Sequence, residues 1–199
     1  MRADPFTTHL DRLPVLVILR GHDPTTTVRL CEHAASLGVG LVEVPWHGEE
    51  SRASLTAALD WARDRPGVLV GAGTVTGVDV LRAVHALGVA FTVAPGFDAG
   101  VVEAAAVLGV AHLPGVATGT EVSAALAAGC VWQKAFPASV LTPAWFTALR
   151  GPFPGVRFVA TGGVDAGNAA DFLRAGASAV ALGSAFSTAD PAVIRSLAD

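Results

Sequence analysis

The chain has 199 residues, enough to bury one sizeable core and short for two domains. Hydrophobic residues make up 52% of it and charged residues 15%, a balance that excludes a disordered chain. The net charge of −4 provides no basic field for nucleic acid or an anionic membrane, so neither is expected as a partner.

The opening stretch, MRADPFTTHLDRLP, carries acidic residues and no apolar h-region, which argues against a signal peptide. No uninterrupted apolar run reaches the ~20 residues of a membrane span. A soluble cytoplasmic protein is the expectation. Cys31 and Cys130 lie far apart in no CxxC spacing, so neither a disulfide framework nor a zinc site is expected.

Residues 4–12 offer an extra helix that would close the bottom of a barrel. Strand candidates then follow at VLVILR (15–20), LVEVP (41–45), VLVGAGTV (68–75), FTVAPG (91–96), AHLPGV (111–116), VWQKAFP (131–137), VRFVATGG (156–163) and AVALGS (179–184). Helix candidates rich in Ala and Leu lie between and after them, near 24–37, 48–64, 78–87, 98–108, 119–128, 142–150, 166–175 and 190–198. Gly38, Gly88, Gly109, Gly129 and Gly176 punctuate helix ends, while Pro24, Pro143 and Pro191 sit near helix starts.

Strands that alternate with helices imply parallel pairing through right-handed crossovers. Eight such units predict a (β/α)8 TIM barrel, a single domain spanning residues 1–199. A doubly wound open sheet is the alternative. It would want a glycine-rich fingerprint after the first strand, and ILRGHDP does not supply one.

In a barrel of this kind, active sites lie at the C-terminal ends of the strands. The polar residues at those positions are Arg20, Glu43, Thr74, Lys134, Thr161 and Ser184, and they should converge on one rim. Lys134 is the chain's only lysine, and it stands between Val131–Trp132 and Ala135–Phe136–Pro137. Such surroundings disfavour the ammonium and leave a neutral amine able to attack a carbonyl. The competing reading is a lysine that snorkels to the rim without chemistry.

Glu43 is the carboxylate inside a strand-like run, suited to proton transfer or to pairing with Arg20 on the neighbouring strand. GAGTV (71–75) ends its strand with small residues, and Thr74 adds a hydroxyl. The turns TGG (161–163) and GS (183–184) follow the last two strands, where barrels frequently bind phosphate through backbone N–H groups. The histidines show no metal-ligand spacing, so no metal is expected. A neutral lysine, a carboxylate and a phosphate cradle at one mouth point to Schiff-base chemistry on a phosphorylated carbonyl compound.

Taken in order, LVEVP, VGAGTV, VAPG, LPGVAT, QKAFPAS, GPFPGVRFVATGGV and LGSA resemble the class I aldolases for 2-keto-3-deoxy-6-phosphogluconate and 4-hydroxy-2-oxoglutarate. The resemblance covers nearly the whole chain. It implies a pyruvate-lyase reaction in which Lys134 forms a Schiff base with the substrate's C2 carbonyl and Glu43 moves protons. Thr74 would hold the pyruvate carboxylate, and Gly162, Gly163, Gly183 and Ser184 would bind the phosphate. The resemblance further implies products pyruvate and glyceraldehyde 3-phosphate, no metal or organic cofactor, and a homotrimer.

One position departs from the gluconate-type pattern. Many such members carry an arginine four residues after the strand-two glutamate; this chain has His47. Its ILRG and EVP motifs resemble the phosphogalactonate branch, where an arginine ending strand one holds the carboxylate, and Arg20 is the matching residue. GPFPGVRFVATGG resembles the gluconate branch instead, so the C4 epimer stays open at this point. Two other classes also remain: a phosphate-binding barrel isomerase or synthase without a covalent imine, and a binding protein that has lost turnover.

Overall fold

Nine short strands alternate with helices through the computed structural model, which describes residues 4–198. The strands are β1 (Val15–Ile18), β2 (Leu41–Pro45), β3 (Leu69–Gly73), β4 (Phe91–Val93), β5 (Ala111–Leu113), β6 (Gly115–Val116), β7 (Trp132–Ala135), β8 (Arg157–Thr161) and β9 (Ala179–Leu182). The helices are α1 (Pro5–Leu10), α2 (Pro24–Ser36), α3 (Glu49–Ala62), α4 (Val78–His85), α5 (Ala99–Leu108), α6 (Gly119–Ala127), α7 (Ala138–Arg150), α8 (Ala169–Ala175) and α9 (Pro191–Ser196). Every strand pairing is parallel.

The sheet order is β5-β4-β3-β2-β1-β9-β8-β7-β6, and only Pro114 separates the two end strands in the chain. The sheet therefore curls back on itself as a TIM-barrel-like (β/α)8 fold. The expected single strand 111–116 is two strands, and proline is the physical reason. Pro114 has no N–H to donate to the ladder. Its carbonyl still accepts from Lys134 N at 2.8 Å, while the N–H of Gly115 turns to Gly96 O at 3.1 Å. β5 consequently pairs with β4, and β6 with β7.

Side chains alternate between two cores, as the period of a strand demands. Leu16, Leu41, Phe91, Leu113, Trp132, Val159 and Ala179 form one cluster inside the barrel. Val17, Val42, Val70, Phe158 and Val180, one residue out of phase, pack against the surrounding helices in the other. The interior is closed at its N-terminal end by α1. Asp4 caps that helix through the N–H of Thr7 at 3.1 Å, a contact worth about 1 kcal/mol. Phe6 stacks edge-on against Phe91 at 5.5 Å, and Trp132 Nε1 donates to Thr7 Oγ1 at 2.9 Å.

Two helix starts differ from the sequence expectation by three residues or more, and one short element is new. α7 starts at Ala138 rather than 142 and is interrupted at Thr142, whose φ of 62° breaks the turn before Pro143 restarts it. α8 starts at Ala169 rather than 166, because the Asp165 carboxylate takes the N–H groups of Gly167 and Asn168 into a local turn. Ser184–Thr188 forms a 3-10 turn that the sequence did not announce.

Candidate active site

The site residues follow from the interior register. Two residues beyond Leu41 comes Glu43; two beyond Trp132 comes Lys134; two beyond Ile18 comes Arg20; two beyond Val159 comes Thr161. Each therefore shares the inward face of its strand with an apolar residue nearer the plugged end. A cavity of about 450 Å³ opens at the C-terminal mouth, and its wall includes Arg20, Lys134, Gly162, Gly163, Gly183 and Ser184. Glu43 is 1% exposed and lies in β2, paired in register with Ile18 of β1. It stands close enough to Lys134 and Arg20 for both charges to act on it. Thr74 follows β3 directly with φ of 61°, a strained backbone for a residue other than glycine, and is outside the wall of this cavity.

Lys134 is 5% exposed, and its ammonium sits 4.8 Å from the centroid of the Phe136 ring. Burial pushes its pKa below the ordinary lysine range, the nearby Glu43 charge opposes that shift, and Arg20 adds to it. Glu43 moves the other way. Burial raises its pKa above the usual carboxylate range, while Lys134 and then Arg20 restrain the rise. Glu43 Oε1 is buried and has no hydrogen-bond partner among the described residues. The two groups form no ion pair within 4 Å. The amine of Lys134 lies on the cavity wall, and the Glu43 carboxyl lies buried behind that wall, outside the lining.

Glu43 occupies space that a side chain on β3 would otherwise fill. A Cβ at position 73 would stand 1.8 Å from Glu43 Oε1, so Gly73 is the residue that admits the carboxylate. Sequence reading missed this role, although GAG at the end of a strand was the signal. Phe136, whose ring faces the amine, was also missed.

The turn after β8 is held open for a ligand by its own hydrogen bonds. Asn168 Nδ2 donates to Gly163 O at 3.0 Å, and Asp165 N donates back to Asn168 Oδ1 at 3.0 Å. Gly163 has φ of 76°, and a Cβ there would meet Ser139 Cβ at 2.5 Å. The N–H groups of Gly162, Gly163 and Gly183 find no acceptor among the described residues. They border the cavity as unspent donors for an anion.

Arg20 and His47, set against each other by sequence comparison, are in contact. Arg20 Nη1 lies 3.1 Å from His47 Nε2. Arg20 has no carboxylate within ion-pair distance among the described residues, so the expected alternative of a Glu43–Arg20 pair is not formed. Among the described residues no group of three or more His, Cys, Asp or Glu is placed to hold a metal ion, and Cys31 and Cys130 are both free thiols. No helix among them is long and apolar enough to cross a membrane.

Residues 7–195 match the family model described as KDPG and KHG aldolase. The chain belongs to that family. This aldolase, a carbon–carbon lyase, is 32% identical over 185 residues to the 2-dehydro-3-deoxy-6-phosphogalactonate aldolase of Escherichia coli, covering 92% of this chain and 89% of that one. It is 35% identical over 162 residues to the 2-dehydro-3-deoxy-phosphogluconate aldolase of Treponema pallidum, covering 81% and 74%. Its backbone superposes on KDPG aldolase from Legionella pneumophila with a TM-score of 0.80 at 25% identity, covering 95% and 94%. That structure holds pyruvate captured at low pH as a covalent carbinolamine.

Proposed function

We propose that this aldolase cleaves a 2-keto-3-deoxy-6-phospho sugar acid to pyruvate and glyceraldehyde 3-phosphate through a Schiff base on Lys134. The observation that carries the reading is the buried amine of Lys134 on the cavity wall, with the buried Glu43, whose pKa burial raises, near enough for their charges to act on each other. Pyruvate captured covalently in the Legionella relative supports it.

The chemistry runs as an exchange between those two groups. The neutral Lys134 amine adds to the C2 carbonyl, and Glu43 supplies the proton that lets water leave the carbinolamine as the iminium forms. Glu43, now a carboxylate, takes the proton of the C4 hydroxyl. The C3–C4 bond breaks, its electron pair moves toward the iminium nitrogen, and the aldehyde product departs. The remaining enamine takes a proton at C3, and water hydrolyses the imine to pyruvate and free lysine. A carboxyl with a raised pKa is suited to giving and taking the proton within one cycle.

Arg20 clamps the substrate carboxylate in this reading, since a guanidinium offers two parallel donors and stays charged. Thr74 contributes from the β3 rim, where its strained backbone is held in place by Val75 N donating to Val93 O at 3.0 Å. The unspent N–H groups of Gly162, Gly163 and Gly183, with Ser184 beside them, receive the phosphate.

The phosphogalactonate epimer is a second reading beside the phosphogluconate form, supported by the 32% identity to the Escherichia coli phosphogalactonate aldolase; Arg20 would meet the carboxylate that both epimers share. A lactate-dehydrogenase-coupled assay on both epimers, each with and without its phosphate, tests the substrate. Pyruvate release from at least one phosphorylated epimer, with kcat/KM well above its unphosphorylated form, is expected. Release from neither epimer contradicts the function, and equal kcat/KM for the two forms contradicts the phosphate cradle.

A further inference from the structure

Arg20 is exposed, lies beyond the end of its strand, and carries three freely rotating carbons between backbone and guanidinium. A side chain of that kind loses considerable rotamer entropy when it is held over a site. The one hydrogen bond that restrains its head among the described residues is to His47 Nε2, at 3.1 Å and 27 residues away in sequence. His47 is itself anchored: its backbone N–H donates to Ser51 Oγ at 2.7 Å, and that hydroxyl donates to Gly48 O at 3.0 Å. The first turn of α3 thus holds the backbone of His47, and the imidazole in turn contacts the guanidinium that borders the cavity.

From this chain of contacts we infer that His47 is a positioning residue for substrate binding, acting through Arg20. The inference rests on the proposed function, in which Arg20 holds the substrate carboxylate. A guanidinium has no acceptor, so the contact requires His47 Nε2 to accept with its lone pair. The imidazole must then be neutral and carry its proton on Nδ1. Without that acceptor Arg20 is released from its brace, and the carboxylate site loses its preorganised form.

The polar groups packed around His47 are few. His22 and Asp23 from the turn before α2 and Glu50 from α3 line a hollow of about 300 Å³ with it. Asp23 is committed to capping α2 through Thr26 N at 3.0 Å, and Glu49 on α3 pairs with Arg52 at 2.6 Å. Neither carboxylate takes over the acceptor role toward Arg20.

The test is pyruvate saturation of borohydride trapping on the intact chain for wild type, His47→Ala, His47→Gln and Arg20→Ala. Removing the brace should raise the half-saturating pyruvate concentration about three- to tenfold in His47→Ala, with KM more affected than kcat. His47→Gln places a non-titrating carbonyl oxygen near the Nε2 position. It should restore much of the affinity, because its carbonyl oxygen can accept from Arg20. The double variant Arg20→Ala/His47→Ala should be no weaker than Arg20→Ala alone.

Wild-type affinity in His47→Ala, additive losses in the double variant, or failure of His47→Gln to rescue would each overturn the positioning role while leaving the aldolase reading intact. Unchanged saturation in Arg20→Ala would instead remove the carboxylate clamp, and this inference with it.

Discussion

The two ends of the barrel interior are made by the same strands, two residues apart, and differ in nearly every physical respect. At the plugged end Leu41 and Trp132 share a cluster with Leu16 and with Phe6 and Leu10 of α1. The same strands then place Glu43, Lys134 and Arg20 at the mouth. At the plugged end the indole N–H of Trp132 has its acceptor in Thr7, and the Arg157 guanidinium lies 4.1 Å over the indole ring while pairing with Asp11. At the mouth a carboxylate oxygen is buried with no partner, and burial pushes carboxyl and amine toward their neutral forms. A buried polar group left without a partner costs roughly 1–3 kcal/mol. One end of each strand therefore stabilises the barrel, and the other keeps groups poised at some expense of stability.

A hollow at the plugged end sharpens the contrast. It measures about 480 Å³, similar in size to the cavity at the mouth, and its lining includes apolar residues of α5 with Trp132 and Cys130. His112 borders it, with burial pushing its pKa down to about 4, and its Nδ1 contacts Thr92 Oγ1 at 2.9 Å. Size alone does not separate the two hollows. The amine, the carboxyl and the unspent N–H groups all lie at the other end.

The comparison breaks first at Lys134. Lys134→Met keeps the chain's shape and apolar stem while removing the amine, and cleavage should fall on the order of 10⁴-fold or more. Its melting temperature should hold or rise, since the buried amine is no longer desolvated. Residual turnover within tenfold of wild type would show that the amine is dispensable.

Glu43→Gln should lower kcat about 10²- to 10⁴-fold, as expected for loss of a general acid and base. Its effect on stability has a definite sign. Burial raises the folded-state pKa of Glu43, so the stabilising contribution of the neutral carboxyl is complete at acid pH and is lost as pH rises through the folded pKa. Glutamine is neutral throughout. The variant should therefore be more stable than wild type in urea at neutral pH, with the gap closing as pH is lowered toward the ordinary carboxylate range. A gap that widens on acidification would mean that Glu43 is held as an anion by its neighbours.

Gly73→Ala probes the same carboxylate without touching it. The added Cβ displaces Glu43 Oε1, and a misplacement of about 1 Å costs roughly a hundredfold in kcat. Combined with Glu43→Gln, it should add little further loss, which steady-state kinetics on the double variant would reveal. Phe6→Ala lies at the opposite extreme. It removes a ring from the plug and should destabilise the fold by about 3–5 kcal/mol. Well below its melting temperature, kcat/KM should stay within about twofold, because Phe6 is not among the residues that line the mouth cavity.

The sequence legibility of this molecule follows the range of the interactions involved. The alternation of β-branched and Ala-rich segments announces the barrel, because that pattern is local. Gly38, Gly88, Gly109, Gly129 and Gly176 all adopt positive φ after their helices, as their placement implied. Lys134 and Glu43 stood out because a charge within an apolar run is itself a local anomaly. The split of the fifth strand at Pro114 was also written in the chain, but its consequence depends on which neighbours each half then pairs with. Contacts across the barrel left no local trace. The room that Gly73 gives Glu43, the Phe136 ring near the amine, and the hydrogen bond from Arg20 to His47 each join residues whose nearness only the closed sheet creates.

The central claim is that the amine of Lys134 forms a covalent imine with a keto acid at the barrel mouth. Incubating the purified chain with pyruvate and borohydride, then measuring its intact mass and mapping the modified peptide, tests this directly. One reduced pyruvate adduct per chain, on Lys134, is the predicted result. No adduct under conditions where the enzyme turns over, or an adduct confined to another amine, would contradict it.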